Sequence, residues 1–320
     1  MARNRNIRGW TKYSSAVALF GFIWMLATSA YSADAIESLT RDGVVTVRCG
    51  DRDVLVYQAV PNPYKVYVRA WTTPQGRQIL LDSPHDHVHH HALMFAIGAE
   101  GTDFWGEAPE ARPGKQVPIG ETRVKTRMVD GQPDVDLRQQ IQWQDPDGLV
   151  LLQERRHLKL TDRQVQGASL LTWESELSAP AGKPQVELWG RHYFGLGLRM
   201  VPSMDQGGRF LNPTNEEGET VRGTEKLLCA PWCAYVAAVD GQPVTVAMFD
   251  HPQNRPAATW FTMTAPFAYL SATLGLKDQK LVLTADAPLR LRYGLALWDG
   301  AKNASEIQQA YADWKNAVDK

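Results

Sequence analysis

The chain has 320 residues, with 34 Lys and Arg against 35 Asp and Glu, and an isoelectric point near 6.7. This charge balance lacks the electrostatic signature of a general nucleic-acid-binding protein, so nucleic acid is not an expected partner. With 44% hydrophobic residues, 22% charged residues and 11 Trp, the composition is that of a folded globular protein and excludes a disordered chain.

The N-terminal segment has the pattern of a secretory signal peptide. Basic residues without acids in 1–12 precede an uncharged apolar run at 16–28, and small residues follow. Cleavage after Ser32 or after Ala35 satisfies the small-x-small rule. The apolar run is shorter than the ~20 residues of a membrane span, although an uncleaved anchor is the alternative. We expect residues 1–35 to be the signal peptide, the mature protein to be periplasmic or extracellular, and no membrane to be a partner after cleavage.

Residues 36–320 are expected to form a single all-β domain. Short runs of β-branched and aromatic residues are broken by Gly, Pro, Asp and Asn at intervals typical of antiparallel sheets, with the turn signals GDRD, PQG and DPDG between some of them. Linker composition and fixed-period repeats are absent from this part of the sequence, which disfavours propellers and solenoids. The predicted strands are 44–48, 54–58, 64–73, 135–144, 149–160, 169–177, 185–200, 235–239, 244–250, 258–264, 267–274 and 281–298.

One helix is predicted, at 305–318 near the C-terminus. Ser305 and Gln308 have the spacing of a capping box. The Pro- and Gly-rich segments 108–120 and 202–224 are predicted to be long excursions from the sheets, where binding groups tend to lie. The apolar stripe of the helix consists of Ile307, Ala310, Tyr311, Trp314 and Val318.

Three cysteines, Cys49, Cys229 and Cys233, leave several pairings open. In an exported protein Cys229 and Cys233 can bridge locally, or either can reach Cys49. Buried, unreactive thiols are an equally good interpretation. The spacing does not match a redox motif or a zinc knuckle.

A run of histidines is the strongest functional signal. Five of the eight histidines lie within residues 85–91. In an extended segment alternate side chains share a face, so His85, His87, His89 and His91 are expected about 7 Å apart on one face. Neighbouring imidazoles on that face are candidate ligands for a divalent metal such as zinc, iron, copper or nickel. Four carboxylates are candidates to complete such a site: Asp82, Asp86, Asp103 and Glu107.

The same loop allows two other interpretations. It can supply neutral donors and acceptors for sugar hydroxyls, or acid and base groups, without a metal, and it can be a solvated loop without function. A cupin is disfavoured, because its H-x-H is followed by a Glu where this sequence has the apolar run ALMFAIG. The candidate catalytic residues are His87, His89, His90, Glu107 and His192.

Three further segments carry candidate substrate-binding groups. In TDFWGE an indole lies between carboxylates, an arrangement common in sugar subsites, although a turn with a core Trp is the alternative. The segments ELWGRHYF and MFDHPQNR place His, Arg and Asn at expected strand ends. If these groups form one site, at least two imidazoles of 85–91 should share a concave surface with Glu107 or Asp103 and with His192 or His251. The candidate substrate-binding residues are Asp103, Trp105, Trp189, Arg191, His251 and Asn254.

Several catalytic motifs are absent from the sequence. It contains no G-x-S-x-G, no Walker A loop, no G-x-G-x-x-G after a strand and no H-E-x-x-H. These absences argue against a nucleotide hydrolase, a Rossmann oxidoreductase, an α/β-hydrolase and a zincin protease.

Four motifs carry a resemblance to a known family. At HDHVHHHALMFAIGAEGTDFWGE, WGRHYFGLGLRM, FDHPQNRPAATWF and LRYGLALWDG the chain resembles a secreted bacterial family labelled "methane oxygenase PmoA" and otherwise treated as a domain of unknown function. Where that family has a His-His-Arg core, this chain has His89, His90 and His91 followed by Ala92. The label is misleading, because the methane monooxygenase subunit of that name has several apolar membrane spans, whereas this sequence has no apolar run of that length.

The strand pattern is also similar, at the level of fold, to the galactose-mutarotase-like supersandwich of sugar epimerases, polysaccharide lyases and some glycosidase domains. This similarity implies a large antiparallel β-sandwich. The expected function is an exported carbohydrate-active enzyme, a hydrolase, lyase or epimerase, with a small-molecule or glycan substrate. The alternatives are a non-catalytic carbohydrate-binding protein and a metal-dependent oxidoreductase.

Overall fold

The structure, a computed structural model, describes residues 35–161, 165 and 167–319. The predicted signal peptide therefore lies outside the described residues, apart from Ala35. The described residues form 22 β-strands, two short 3-10 turns and one α-helix. None of the helices among them is long and apolar enough to cross a membrane.

The strands follow one another along the chain, mostly with short connections, and a longer connection, residues 72–92, joins β4 to β5. The first eleven are β1 (Ile36–Arg41), β2 (Val44–Cys49), β3 (Arg52–Gln58), β4 (Tyr67–Trp71), β5 (Leu93–Ala96), β6 (Gly98–Ala99), β7 (Thr102–Asp103), β8 (Lys115–Val129), β9 (Gln132–Gln144), β10 (Val150–Thr161) and β11 (Ala168–Ser178). The others are β12 (Gln185–Trp189), β13 (Gly195–Arg199), β14 (Arg209–Leu211), β15 (Glu219–Arg222), β16 (Glu225–Cys229), β17 (Trp232–Val239), β18 (Gln242–Asp250), β19 (Thr259–Met263), β20 (Tyr269–Thr273), β21 (Leu281–Thr284) and β22 (Leu289–Asp299).

The strands pair into three antiparallel sheets. A ten-stranded sheet has the order β1-β2-β3-β4-β5-β13-β20-β19-β16-β15, and an eight-stranded sheet has the order β14-β17-β18-β22-β11-β10-β9-β8. A four-stranded sheet, β21-β12-β6-β7, completes the fold. The predicted all-β antiparallel sandwich is confirmed.

Buried polar contacts join the two large sheets. Tyr57 of β3 donates its hydroxyl to Gln139 of β9 at 2.6 Å, and the indole of Trp71 on β4 donates to Ser169 of β11 at 2.9 Å. Around them, apolar side chains from both sheets form one continuous core. Hydrogen bonds to these polar groups fix how the sheets face each other, because an unpaired polar atom at this depth would be costly.

The C-terminal helix α1 (Ala304–Val318) confirms the predicted helix, but its N-terminus differs from the prediction. Its capping box joins Asn303 and Glu306, two residues before the predicted pair of Ser305 and Gln308. The apolar stripe packs on strands β11, β17, β18 and β22, where Trp314 donates to Thr172 at 3.0 Å.

Several predicted boundaries are wrong. The predicted strand 185–200 is interrupted by a turn at 190–194, and the predicted strand 281–298 is interrupted at 285–288. No predicted strand covers β8, whose first residues fall in the segment 108–120 that was predicted to be an excursion from the sheets because of its Pro and Gly residues. The edge strand β1 was not predicted either, since five of its six residues are exposed and show no apolar alternation.

The cysteines form no disulfide in the part of the chain that the structure describes. Cys49 and Cys233 are buried and Cys229 is exposed. Of the alternatives that the sequence leaves open, buried thiols without a disulfide describe Cys49 and Cys233, whereas Cys229 is an exposed thiol.

The helix cap provides a direct test of the boundary correction. Replacing Asn303 with Ala should lower the free energy of unfolding by about 1 kcal/mol, because the Glu306 amide loses its acceptor. Ser305→Ala is the matched control and should change it by less than about 0.5 kcal/mol, since that side chain is exposed. Urea denaturation of both variants measures the difference. A larger loss for Ser305→Ala would contradict the observed cap.

Candidate functional site

The histidine-rich segment is not an extended strand. Two consecutive turns form it, with the His87 amide donating to Pro84 and the His90 amide donating to His87, at 3.0 and 2.9 Å. At its base the Ser83 amide donates to the His90 carbonyl. The predicted alternation of histidines on one face is therefore wrong, because Pro84 and the two turns close the segment into a compact loop. We call residues 83–91 the His loop.

The five imidazoles have different environments. His85 is exposed, whereas His91 is 2% exposed and lies below the loop. His87, His89 and His90 form a cluster with ring centroids 4.6–5.8 Å apart. Among the described residues no group of three or more His, Cys, Asp or Glu side chains has donor atoms placed to hold a metal ion. The proposed ligands His85, His87, His89 and His91 thus do not converge.

A chain of buried charges anchors the loop. Lys65 lies 2.6 Å from Glu107, and the same carboxylate oxygen lies 2.9 Å from Nε2 of His91. Nδ1 of His91 lies 2.9 Å from Asp82, which also accepts the hydroxyl of Tyr67 at 3.0 Å. The charges alternate along this chain, so each buried charge has an opposite neighbour, as burial requires.

The protonation of this chain follows from its contacts. Burial acts to lower the pKa of His91, but hydrogen bonds to Asp82 and Glu107 outweigh it and hold the pKa above the ordinary 6.5. Burial acts to raise the pKa of Glu107, but the bond to His91 and the charge of Lys65 hold it below 4.5. Burial also lowers the pKa of Lys65. His91 therefore works as a buried cation whose two ring nitrogens are both engaged.

Above this chain, the His loop forms one wall of a cavity of about 410 Å³. This volume is within the range of small-molecule sites, ~300–1,000 Å³. The lining is mostly aromatic, with one carboxylate and one arginine. It consists of His87, His89, His90, Trp105, Tyr193, Arg222, Glu225, Phe261, Met263, Pro266, Phe267 and Tyr269.

Apart from His87, whose Nδ1 lies 3.1 Å from Asp86, three rings in this lining carry buried polar atoms without a hydrogen-bond partner among the described residues. They are Nδ1 of His90, Nε1 of Trp105 and the hydroxyl of Tyr269. The ring centroids of the three residues are 5.2–6.3 Å apart, so the unpaired atoms belong to one cluster. Each such atom costs about 1–3 kcal/mol of desolvation. The cluster is therefore a set of unsatisfied polar groups in residues that line the cavity.

The ten-stranded sheet positions this cluster. Tyr269 on β20 is paired in register with Met263 of β19 and with Arg199 of β13. Gly197, two residues before Arg199, lies on the same face, and a Cβ there would overlap the Tyr269 hydroxyl and press on Trp105. Gly197 thus leaves the space that the rings of Tyr269 and Trp105 occupy.

Two of the loop histidines, His89 and His90, are uncharged at neutral pH. Burial, with the nearby charge of Lys65, lowers the pKa of His89 to about 4. Burial, with the other histidines, lowers the pKa of His90 to about 2. Nδ1 of His87 lies 3.1 Å from Asp86, which in turn lies 3.7 Å from the Arg199 guanidinium. A neutral imidazole carries one donor and one acceptor, so His89 and His90 can bind hydroxyls or take a proton.

A carboxylate with two fixed partners forms another wall. Glu225 on β16 lies 3.2 Å from Nε2 of His192 and 2.5 Å from Arg222. The His192 ring packs against Tyr193 and Phe261. The predicted candidate His192 thus contacts Glu225 but does not itself line the cavity. Glu225 was not among the residues predicted from the sequence.

Other candidates lie outside the cavity lining. Asp103 accepts the Trp105 amide at 2.6 Å and so shapes the turn that presents this indole. Trp189 packs over Gly98 and near Phe194, and Arg191 is exposed beside Tyr193. Glu107, a predicted catalytic residue, belongs to the buried charge chain described above.

The predicted convergence occurs in part. Three of the five loop imidazoles share one concave surface with Trp105, and His192 borders it through Glu225. His251 and Asn254 lie elsewhere, since His251 is bound to Asp319 near the end of α1. Asn254 bonds Asp250 and both backbone groups of Arg292. Sequence reasoning missed Tyr193, Phe261, Phe267 and Tyr269, which the apolar strand pattern does not distinguish from core residues.

Residues 44–312 match the model of a family of unknown function, DUF6807, and the chain belongs to this family. Membership in a family without an assigned activity was expected from the sequence. The description of the family does not carry the methane-oxygenase label. No curated protein matches the chain.

Solved structures share the fold at low sequence identity. The α-galactosidase AgaB of family GH36 from Geobacillus stearothermophilus is 12% identical, with a TM-score of 0.51, over 87% of this chain and 42% of that one. A putative aldose 1-epimerase from Klebsiella pneumoniae is 12% identical, with a TM-score of 0.43, over 89% of this chain and 88% of that one. The chain spans about two fifths of the length of the α-galactosidases it matches. The similarity to AgaB concerns the fold alone.

The buried charge chain predicts a pH-dependent stability. Replacing His91 with Gln should lower the free energy of unfolding by about 1–3 kcal/mol, because Asp82 and Glu107 lose the cation between them and keep only Arg69 and Lys65 as partners. Because the pKa of His91 is higher in the folded protein than in the unfolded chain, protonated His91 stabilises the fold. This stabilisation is fully present below about pH 6.5 and is lost as the pH rises through the folded-state pKa of His91. The difference in melting temperature between the native protein and the variant should therefore narrow from about pH 6 to 9.

Scanning calorimetry across this range, with the exposed His85→Gln as control, measures the effect. The control should melt with the native protein at every pH. A difference for His91→Gln that does not depend on pH would contradict the assignment of His91 as a buried cation.

Proposed function

We propose that the chain is an exported carbohydrate-active enzyme that binds a sugar in the cavity beneath the His loop. The observation that carries this proposal is the cluster of unpaired polar atoms on His90, Trp105 and Tyr269. A sugar presents hydroxyls for such atoms and C–H faces for the surrounding rings. Export is supported by the sequence of residues 1–35.

The aromatic lining suits a sugar better than a charged metabolite. Phe261, Phe267 and Tyr193 contribute apolar surface, and a single carboxylate, Glu225, is in the lining. Glu225 is an acceptor held by His192 and Arg222, and so is suited to sugar hydroxyls. The similarity in fold to an α-galactosidase supports this ligand class.

The imidazoles indicate the kind of reaction. His89 is half-buried and lines the cavity, and its pKa of about 4 leaves it an uncharged proton acceptor at neutral pH. Glycoside hydrolysis usually uses two carboxylates across the scissile bond, whereas this cavity lining has one. We therefore favour removal of a proton from a sugar carbon next to a carbonyl or carboxylate group, with His89 as the base. Return of the proton to the opposite face of that carbon gives epimerisation, and departure of the substituent on the neighbouring carbon gives elimination.

The base assignment predicts loss of proton exchange in one variant. The mature protein in deuterated buffer should incorporate deuterium at a sugar carbon in at least one member of a panel of plant and algal mono- and disaccharides, as followed by proton NMR. His89→Gln should reduce this exchange at least about 100-fold, within the range of general base catalysis. His85→Gln is the control and should retain it, since His85 is exposed and outside the cavity.

Two outcomes would change the proposal. Binding of a sugar without exchange by the native protein would favour the non-catalytic carbohydrate-binding alternative, whose contacts are the same rings. Exchange that depends on zinc, iron or copper in the purified protein, measured by elemental analysis, would favour the metal-dependent alternative. Absence of both binding and exchange across the panel would refute a sugar ligand.

A further inference from the structure

A second concave surface lies on the eight-stranded sheet, away from the His loop. Strands β8, β9, β10, β11 and β22 line a cleft of about 940 Å³, which shares no lining residue with the His-loop cavity. The cleft reaches His251 and Asn254, so two sequence candidates border it. We call it the arginine cleft, because most of its charged residues are arginines.

Charged side chains cross the arginine cleft in register. Arg123, Arg138, His157, Glu174 and Arg292 are successive cross-strand partners on β8, β9, β10, β11 and β22. Strands are spaced about 4.8 Å apart, so this row extends for about 19 Å. Its length suits a ligand with repeated charges more than a single small anion.

Two of the three carboxylates that line this cleft are paired with cationic side chains. Glu174 bonds both His157, at 3.2 Å, and Arg292, at 2.7 Å. In the next row, Glu176 pairs with both Arg155 and Arg290. The lining has six arginines against three glutamates, of which the third is Glu121, so it carries an excess of positive charge.

The positive charge is least compensated at the β8 end. Arg123 is exposed and has no ion-pair partner among the described residues, and its cross-strand neighbour is another arginine, Arg138. Arg138 bonds Asp136 at 2.8 and 3.2 Å, which leaves Arg123 unneutralised. Like charges directly opposite each other destabilise a sheet. An anionic ligand between the two guanidinium groups would remove this repulsion.

We infer that the arginine cleft binds an anionic polysaccharide, a glycan with repeated carboxylate or sulfate groups, alongside Arg123 and Arg138. Guanidinium groups bind both kinds of group through two parallel hydrogen bonds. The charge pattern of the cleft indicates that the ligand is anionic. That the ligand is a glycan and not another polyanion rests on the proposed function.

Binding of purified polymers to the mature protein tests this inference. Polygalacturonate supplies carboxylates, carrageenan supplies sulfates, and a neutral glucan and single-stranded DNA are the comparison ligands. We expect salt-sensitive binding of at least one anionic glycan and no binding of the glucan to this surface. The double variant Arg123→Gln, Arg138→Gln should weaken that binding at least tenfold, and the matched variant Arg41→Gln on β1, outside the cleft, should not.

Thermal unfolding of the same variants distinguishes a lost site from a lost fold. The double variant should melt close to the native temperature at low salt, because removal of the like-charge pair offsets the loss of the exposed Arg138–Asp136 pair. Three results would overturn the inference: no binding of either anionic glycan, unchanged binding by the double variant, or tighter binding of DNA than of both glycans. His89→Gln should leave this binding intact, so failure here and failure of the sugar cavity are separate results.

Discussion

The buried chain from Lys65 through Glu107 and His91 to Asp82 is the interaction on which the site depends. It joins the start of β4, both ends of the His loop and the segment that follows Trp105. Because each buried charge is stabilised by its neighbour, removing one leaves another uncompensated. The chain thus holds the loop imidazoles over the sheet while its own groups stay out of the cavity.

The two proposed binding surfaces share a physical feature, in that each retains an unfavourable local arrangement. In the cavity, His90, Trp105 and Tyr269 keep buried polar atoms unpaired. In the cleft, Arg123 lies opposite Arg138 across adjacent strands. Folded proteins usually satisfy buried polar groups and separate like charges, and departures tend to cluster where ligands bind. A large sandwich core supplies the stability that makes such departures tolerable.

Much of the fold follows from the sequence, because alternation and turn residues are local signals. They identified the sandwich, most strands and the C-terminal helix, while the run of histidines marked residues 85–91 as the candidate functional segment. They did not identify its conformation, since Pro84 and two turns override the alternation. Tyr269 and Glu225 were missed because their roles depend on cross-strand neighbours distant in sequence. The role of Gly197 is likewise visible only once Tyr269 and Trp105 meet beside it.

The most direct test of the central claim is the indole N–H resonance of Trp105 in a nitrogen-correlated NMR spectrum during sugar titration. Nε1 of Trp105 has no partner among the described residues, so a sugar in the cavity should shift this resonance markedly. The indole of Trp143, already bonded to Glu154 at 2.9 Å, should stay in place. Saturable sugar binding that leaves the Trp105 resonance unmoved would contradict the account.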